Sequence, residues 1–162
     1  MHGGGPIGDH TTGSLVAVLR KEKPVTLWCT GASTPCIAAF KPVFWGSASP
    51  PVFKETAESK KYWLQREQLH RAVIAGLADP AALRGRIRQL ETAWLLREHE
   101  LMSEEIPDRA KLYAMSREAA KQEQALINEF SVRDWQSVKG CGTYGRYWKR
   151  KNEKLEAINT DG

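Results

Sequence analysis

The chain changes its hydrophobic pattern once, at the proline pair Pro50-Pro51, and this change constrains its fold more than any other feature. Before it, the apolar runs are short, rich in β-branched and aromatic residues, and separated by Gly, Ser, Thr or Pro, which is typical of strands. After it, apolar residues recur every three or four positions over long stretches, which is typical of amphipathic helices. The sequence therefore predicts an α+β fold in which the strands come first.

Short apolar runs predict a small antiparallel sheet of about three strands within residues 14–45. The charged segment 20–24 joins the first two runs as a hairpin, and the small residues 30–35 link the second run to the third. Because proline has no N–H group to donate, Pro42 is expected to end the third strand or to hold it at a sheet edge. The predicted strands are residues 15–19, 25–29 and 36–40.

Three to four packed helices are predicted after the sheet. Gly76 is expected to end the first helix, and Asp79 followed by Pro80 is a strong start signal for the second, because Asp caps a helix and proline fits its first position. The third helix opens at Pro107-Asp108 and extends toward Gly140, with a break near Ser131. The predicted helices span about residues 57–75, 80–102, 108–140 and 144–158.

Composition and charge place the chain in a broad class. Its 162 residues are enough for one domain with a hydrophobic core, and no window approaches the roughly 20 apolar residues that a membrane span needs. The start lacks a basic region followed by an apolar run, so no secretory signal is predicted. We expect a cytoplasmic protein without a membrane partner. The net charge of +5 permits weak attraction to polyanions without indicating a nucleic-acid binder.

The three cysteines, Cys29, Cys36 and Cys141, have no paired spacing, which argues against a disulfide framework and against a zinc knuckle. Cys29 and Cys36 fall in strand-like runs, where a thiol usually behaves as a small buried hydrophobe. Neither has basic neighbours that would lower its pKa. Both are therefore expected to be structural.

The histidines do not complete a metal site. His2 and His10 lie in a predicted glycine-rich loop, where only Asp9 could join them. His70 and His99 fall on predicted helices, where a histidine side chain is expected to be solvated. The sequence therefore predicts no metal ligand and no cofactor.

Two polar segments leave alternatives open. Thr11, Thr12 and Ser14 stand where a loop meets a strand, so their hydroxyls could hold a ligand or satisfy nearby backbone groups. In the basic segment 144–151, aromatic residues alternate with Arg and Lys. Such a segment could stack on single-stranded nucleic acid, but docking of a terminal helix by its aromatic residues is the favoured interpretation.

Four short motifs then occur in order along the first part of the chain: HGGGP at residues 2–6, TTGSL at 11–15, TGASTPC at 30–36 and FKPVF at 40–44. The series resembles the secernin and cysteine-dipeptidase family of N-terminal-nucleophile hydrolases. The tract YWLQREQLHR at 62–71 also looks like the helix that follows these motifs in that family. Beyond Asp79 the likeness is only that of a general helical C-terminus.

The resemblance implies hydrolysis of a small peptide by a cysteine at the mature N-terminus, with its free α-amine as the general base. The chain starts Met1-His2, and neither Cys29 nor Cys36 corresponds to that nucleophile, so no catalytic residue is expected in it. The chain would be a C-terminal portion of an αββα sandwich, a single domain with a β part over 1–50 and a helical part over 51–162. It would be inactive alone.

Within this interpretation the polar loops border the substrate pocket, where they offer backbone N–H groups and hydroxyls to a peptide. A non-enzymatic helical interaction module is the alternative function, and a basic single-stranded nucleic-acid binder is a weaker one. Self-association into a homo-oligomer is left open. The residues expected to bind substrate are His2, Thr11, Thr12, Ser14, Thr30 and Ser33.

Overall fold

The computed structural model describes residues 11–136 and 142–160. It has a three-stranded antiparallel sheet in the order β1-β2-β3, followed by four helices, and is thus the small α+β fold that the sequence predicts. The strands are β1 (Leu15–Val18), β2 (Thr26–Cys29) and β3 (Lys41–Phe44), and the helices are α1 (Ala57–Ile74), α2 (Pro80–Ser103), α3 (Arg109–Glu129) and α4 (Gly142–Thr160).

The third strand begins later in the chain than the sequence predicts. Residues 36–40 are not a strand; Pro35–Ile37 forms a 3₁₀ turn, and β3 starts only at Lys41. The backbone before β3 bonds to helix side chains instead of to a strand. The N–H of Ala39 donates to Glu123 Oε1 at 3.1 Å, and the N–H of Phe40 donates to Glu91 Oε1 at 2.9 Å.

Pro42 lies inside β3, where it pairs with Trp28. The strand tolerates it because β3 is at one edge of the sheet. The N–H of Trp45 donates to the carbonyl oxygen of Val25 at 2.9 Å, so the odd-numbered residues along β3 point their N–H groups toward β2. Pro42 is an even-numbered residue whose backbone nitrogen points away from β2, where no hydrogen-bond donor is needed. The expected edge position of Pro42 is confirmed, whereas the strand does not end at it.

Local capping sets the helix ends. The Asp79 side chain accepts a hydrogen bond from the N–H of Ala81 at 2.8 Å, and Asp108 accepts one from Ala110 at 2.8 Å. Gly76 has φ 71°, a left-handed conformation that ends α1. The predicted helix starts at Asp79 and Asp108 and the predicted helix end at Gly76 are confirmed. The third helix ends at Glu129, near the predicted break and well before Gly140.

Strand alternation gives the sheet two unlike faces. Thr26, Trp28 and Phe44 are buried on the inner face, which packs on α2 through the hydrogen bond from Thr26 Oγ1 to Glu98 Oε1 at 2.5 Å. The core continues from this face between the helices. Its largest members with almost no exposed surface are Phe44, Leu69, Leu83, Leu101, Leu112 and Ile127.

The outer face of the sheet is apolar but largely exposed. Leu27 and Val43, which pair with each other at its centre, are half-buried. Around them Leu15 is 59% exposed, Leu19 is 76% exposed and Trp45 is 74% exposed. The helices cover the β2 and β3 part of the inner face, where Val16 of β1 stays 52% exposed. On the outer face they cover Lys41, which pairs with Glu123 of α3, and leave the apolar residues named above at least partly exposed.

Candidate functional site

Two of the predicted polar loops lie side by side at one end of the sheet. The N–H of Thr34 donates to the carbonyl oxygen of Thr11 at 3.0 Å, and the N–H of Thr30 donates to that of Ser14 at 3.0 Å. Gly13 and Gly31 stand so close that a Cβ on Gly13 would lie 3.9 Å from the Cα of Gly31. Segments 11–14 and 30–34 are therefore one continuous structure, which we call the loop pair.

The predicted substrate-binding residues differ in how they are placed on the loop pair. Thr11, Thr12 and Ser14 are exposed, and Ser33 is half-buried. Thr30 is 1% exposed, and its Oγ1 accepts the N–H of Ser14 at 2.9 Å, so its hydroxyl serves the fold. His2 lies outside the described residues.

A pocket of about 400 Å³ opens beside Gly31 of the loop pair. Phe53 and Tyr62 form part of its wall, and the exposed Lys54 and Lys60 stand on its rim. Gly31 has φ 77°, and a Cβ added there would lie 3.3 Å from the Phe53 ring. Both its backbone conformation and the close aromatic ring therefore favour glycine at this position.

Beneath the loop pair lies a row of polar side chains that the sequence did not indicate. Thr34 Oγ1 and His70 Nε2 are 2.8 Å apart, and both residues are buried. Arg71 Nη1 is 3.1 Å from His70 Nδ1 and donates to Glu67 Oε2 at 2.7 Å. The expectation that His70 is solvated is wrong: it is only 3% exposed, because this face of α1 packs under the loop pair.

Both ring nitrogens of His70 stand beside polar groups. Nε2 is 2.8 Å from Thr34 Oγ1, and Nδ1 is 3.1 Å from Arg71 Nη1 and 3.9 Å from Glu67 Oε2. Burial alone would raise the pKa of Glu67. Hydrogen bonds from His70 and Ser33 and the charge of Arg71 outweigh this effect and lower its pKa to about 2. Glu67 is therefore a fixed anion below the loop pair.

Helix α4 closes the other side of this row. The Trp148 ring stands edge-on to His70, with centroids 5.8 Å apart, and the guanidinium carbon of Arg71 lies 4.9 Å from the Trp148 ring centroid. Trp148 is 4% exposed, whereas Arg146, Lys149, Arg150 and Lys151 are exposed. Docking of a terminal helix by an aromatic side chain is thus confirmed for Trp148, which is too buried to stack on a nucleic-acid base.

A second buried polar group joins β3 to α1 and α3. The ammonium of Lys41 and the hydroxyl of Tyr62 both donate to Glu123 Oε2, and Arg66 Nη2 donates to the carbonyl oxygen of Ile37 at 2.9 Å. Burial would raise the pKa of the Glu123 carboxyl, but the charges of Lys41 and Arg66 and the two donors lower it. Burial and the nearby Glu123 raise the pKa of Tyr62. Glu123 is therefore ionised and Tyr62 neutral.

The cysteines of the described residues do not form a nucleophilic centre. Cys29 is half-buried, and burial raises the pKa of its thiol although Lys41 acts in the opposite direction. Cys36 is exposed, which contradicts the expectation that it is buried, because residues 36–40 are not a strand. Cys141 lies outside the described residues.

The other predicted absences can be examined only over the part of the chain that the structure describes. There, no group of three or more His, Cys, Asp or Glu side chains is arranged to hold a metal ion. His2, Asp9 and His10 fall outside it. None of the described helices has the length and apolar character needed to cross a membrane.

Comparisons with protein families, with curated proteins and with solved structures find no match to this chain. The candidate site thus consists of the loop pair, the pocket beside Gly31 and the two buried polar groups beneath them. Sequence analysis found the loop pair because its hydroxyl and glycine residues are grouped along the chain. It missed Lys41, His70 and Glu123, whose partners are distant in sequence.

Proposed function

We propose that this chain is the C-terminal part of an amide hydrolase related to the secernins and cysteine dipeptidases, and that it contributes a sheet and a substrate-binding wall. The cysteine nucleophile would come from sequence outside these 162 residues. The observation that carries the proposal is the exposed apolar outer face of the sheet.

Apart from Lys41, which pairs with Glu123 of α3, the outer face has the apolar composition of a sheet that packs on a second sheet. Leu27 and Val43 form its centre, and Leu15, Leu19 and Trp45 extend it while remaining more than half exposed. In a sandwich, two such faces meet about 10 Å apart and interdigitate. Burial of apolar surface in this way stabilises a fold by roughly 25 cal/mol per Å². A second sheet on this face would produce the αββα arrangement that the resemblance implies.

The position of the loop pair beside a pocket supports its role as a substrate wall. It lies at the end of the sheet where β1 begins and β2 ends, next to the pocket beside Gly31. Thr11, Thr12 and Ser14 are exposed there, whereas the Ser33 side chain hydrogen-bonds to Glu67 and helps to hold the loop. The charged residues of the pocket lining, Lys54, Glu55 and Lys60, leave one net positive charge, which suits the carboxylate of a short peptide.

The buried polar groups would hold this wall in place. Through Thr34, His70 and Ser33, the anionic Glu67 is connected to the loop pair. A wall fixed in this way loses little conformational freedom when a ligand binds, which is the condition for a preorganised site. These residues position the loops and take no part in bond breaking.

Mapping the transcript upstream of the Met1 codon tests the proposal directly. We expect a continuous reading frame that supplies further strands and a cysteine that processing can expose at an N-terminus. The chain of 162 residues alone should release no amino acid from dipeptides. Dipeptide hydrolysis that persists in a Cys29→Ala, Cys36→Ala double variant would contradict the proposal, because the chain would then contain its own catalytic group.

An interaction module is the second candidate function, and the edge of β1 favours it. In the described sheet β1 pairs only with β2, so its other edge can accept a strand from a protein partner. A chain that stays compact and monomeric, together with a reading frame that starts at Met1, would favour this candidate over a hydrolase fragment.

A further inference from the structure

An apolar groove of about 320 Å³ lies between the inner side of the sheet and α2, separate from the loop pair. Val16 and Leu95 form its open rim, at 52% and 53% exposure. Trp28 and Phe40 add aromatic surface to its wall. Its volume falls in the range of about 300–1,000 Å³ that is usual for small-molecule pockets. The residues that line it are Val16, Val18, Trp28, Phe40, Glu91 and Leu95.

One ionisable side chain stands among these apolar walls. Glu91 is half-buried, and its Oε1 accepts the N–H of Phe40 at 2.9 Å, which fixes the carboxylate at the groove. Its Oε2 accepts no hydrogen bond from the residues that the structure describes, and Glu91 forms no ion pair with them. A carboxylate oxygen in this position can still accept a hydrogen bond from a ligand.

The neighbouring charges do not neutralise Glu91. Along α2 the next inward-facing carboxylate, Glu98, is occupied by Arg20, whose Nη2 lies 2.6 Å from Glu98 Oε1. Behind Phe40, Lys41 is paired with Glu123, and these two groups act on Glu91 in opposite directions. The groove is therefore an apolar site with a negative group at its wall.

We propose that this groove binds a small apolar amine, with its hydrocarbon part against Val16, Trp28 and Leu95 and its ammonium group at Glu91 Oε2. A cation gains from a carboxylate acceptor and from aromatic rings nearby. A neutral hydroxyl ligand could donate only a hydrogen bond without charge assistance to the half-buried carboxylate, and an anion would be repelled by it. The proposal is independent of the function proposed above, because it uses the inner side of the sheet and no residue of the loop pair.

Three probes of nearly equal size test the charge requirement: phenethylamine, phenethyl alcohol and hydrocinnamate. Each is titrated into the full chain while amide and indole signals are followed by two-dimensional NMR. We expect phenethylamine to shift the Phe40 amide and the Trp28 indole signals. The alcohol should bind roughly tenfold more weakly, as expected for the loss of a charge-assisted hydrogen bond, and hydrocinnamate more weakly still.

The Glu91→Gln variant tests whether amine binding needs the negative charge of Glu91. Glutamine keeps an oxygen that can accept the N–H of Phe40 but has no charge, so phenethylamine should bind it no more tightly than the alcohol does. Glu153→Gln, an equal change of charge at an exposed position of α4, should bind the amine as the unchanged chain does.

A pH series on the unchanged chain tests the same point without substitution. Burial raises the pKa of Glu91, so affinity for the amine should fall as the pH falls through that pKa, whereas affinity for the alcohol should not. Equal affinity for all three probes, an amine affinity that Glu91→Gln does not change, or the absence of any shift at Phe40 and Trp28 would overturn the proposal.

Discussion

Lys41 at the start of β3 and Glu123 in α3 form an ion pair in which each side chain is only 1% exposed. Tyr62 from α1 donates to the same carboxylate oxygen, so one buried anion joins the sheet to two helices. The ammonium of Lys41 also lies 5.5 Å from the centroids of the Phe53 and Tyr62 rings. The FKPVF motif is thus held by a buried ion pair at Lys41 as well as by the apolar packing of Phe44.

Replacing Lys41 by methionine is expected to lower the free energy of unfolding by about 3–5 kcal/mol, because it leaves the buried Glu123 carboxylate without its main counter-charge. Methionine occupies a comparable volume, so the loss reports charge more than packing. Urea unfolding followed by circular dichroism measures the change. A second substitution, Glu123→Gln, made together with Lys41→Met should recover part of the loss, because it removes the buried charge and keeps an oxygen that can accept from Ala39 or Tyr62.

Lys111→Met is the matched control for this prediction. Lys111 pairs with Glu104 at the surface, where it is about half exposed, and such pairs contribute about 0–1 kcal/mol. A loss for Lys41→Met no larger than that for Lys111→Met would show that the buried pair does not anchor the motif.

Thr34 offers a test of the polar row below the loop pair. Thr34→Val keeps the side-chain shape but removes the hydroxyl that lies 2.8 Å from His70 Nε2, so this buried hydrogen bond is lost. The expected loss is about 1–3 kcal/mol of unfolding free energy. Thr34→Ser keeps the hydroxyl and should lose less. Thermal unfolding compares the two variants, and equal losses would mean that the hydrogen bond contributes nothing.

Acid is expected to destabilise the fold over a pH range that depends in part on the pKa of Glu67. Its pKa is about 2 in the folded chain and 4.5 in the reference state, so between these values the unfolded chain binds more protons and stability rises with pH. The contribution of Glu67 is fully present above about pH 4.5 and is lost as the pH falls toward 2. By linkage it amounts to roughly 3 kcal/mol.

Unfolding free energies measured from pH 6 to pH 2.5 check this prediction. The Glu67→Gln variant should be less stable at pH 6 and should show a shallower dependence on pH. Glu129→Gln, which changes a carboxylate that is about half exposed, should reproduce the slope of the unchanged chain. An unaltered slope in Glu67→Gln would contradict the assigned pKa.

The exposed outer face should make the isolated chain self-associate. We expect a concentration-dependent increase in mass by analytical ultracentrifugation, together with enhanced fluorescence of a hydrophobic dye. Leu15→Lys combined with Trp45→Lys should reduce both while the circular dichroism spectrum is retained. Leu96→Lys, at a position on α2 that is 65% exposed, should reduce them much less. A strictly monomeric unchanged chain would argue against an uncovered sandwich face.

Short-range signals in the sequence were sufficient for the order of elements and for most helix ends. Asp79, Asp108 and Gly76 act on backbone groups within a few residues, so their effect can be inferred from neighbouring positions. The division into strands before Pro51 and helices after it follows from the period of the apolar residues. The loop pair was predicted for a similar reason, because its hydroxyl residues are grouped in two short motifs.

Contacts between distant residues decided what the sequence could not. The apolar run 36–40 matches a strand pattern. However, the side chains of Glu123 and Glu91 accept the backbone N–H groups of Ala39 and Phe40, and β3 therefore begins only at Lys41. In the same way, burial of His70 depends on Thr34, which lies 36 residues earlier. By itself the sequence determined which segments become strands or helices, because those preferences are local. The tertiary structure decided which polar residues are buried and paired, because desolvation and pairing depend on partners that only folding brings together.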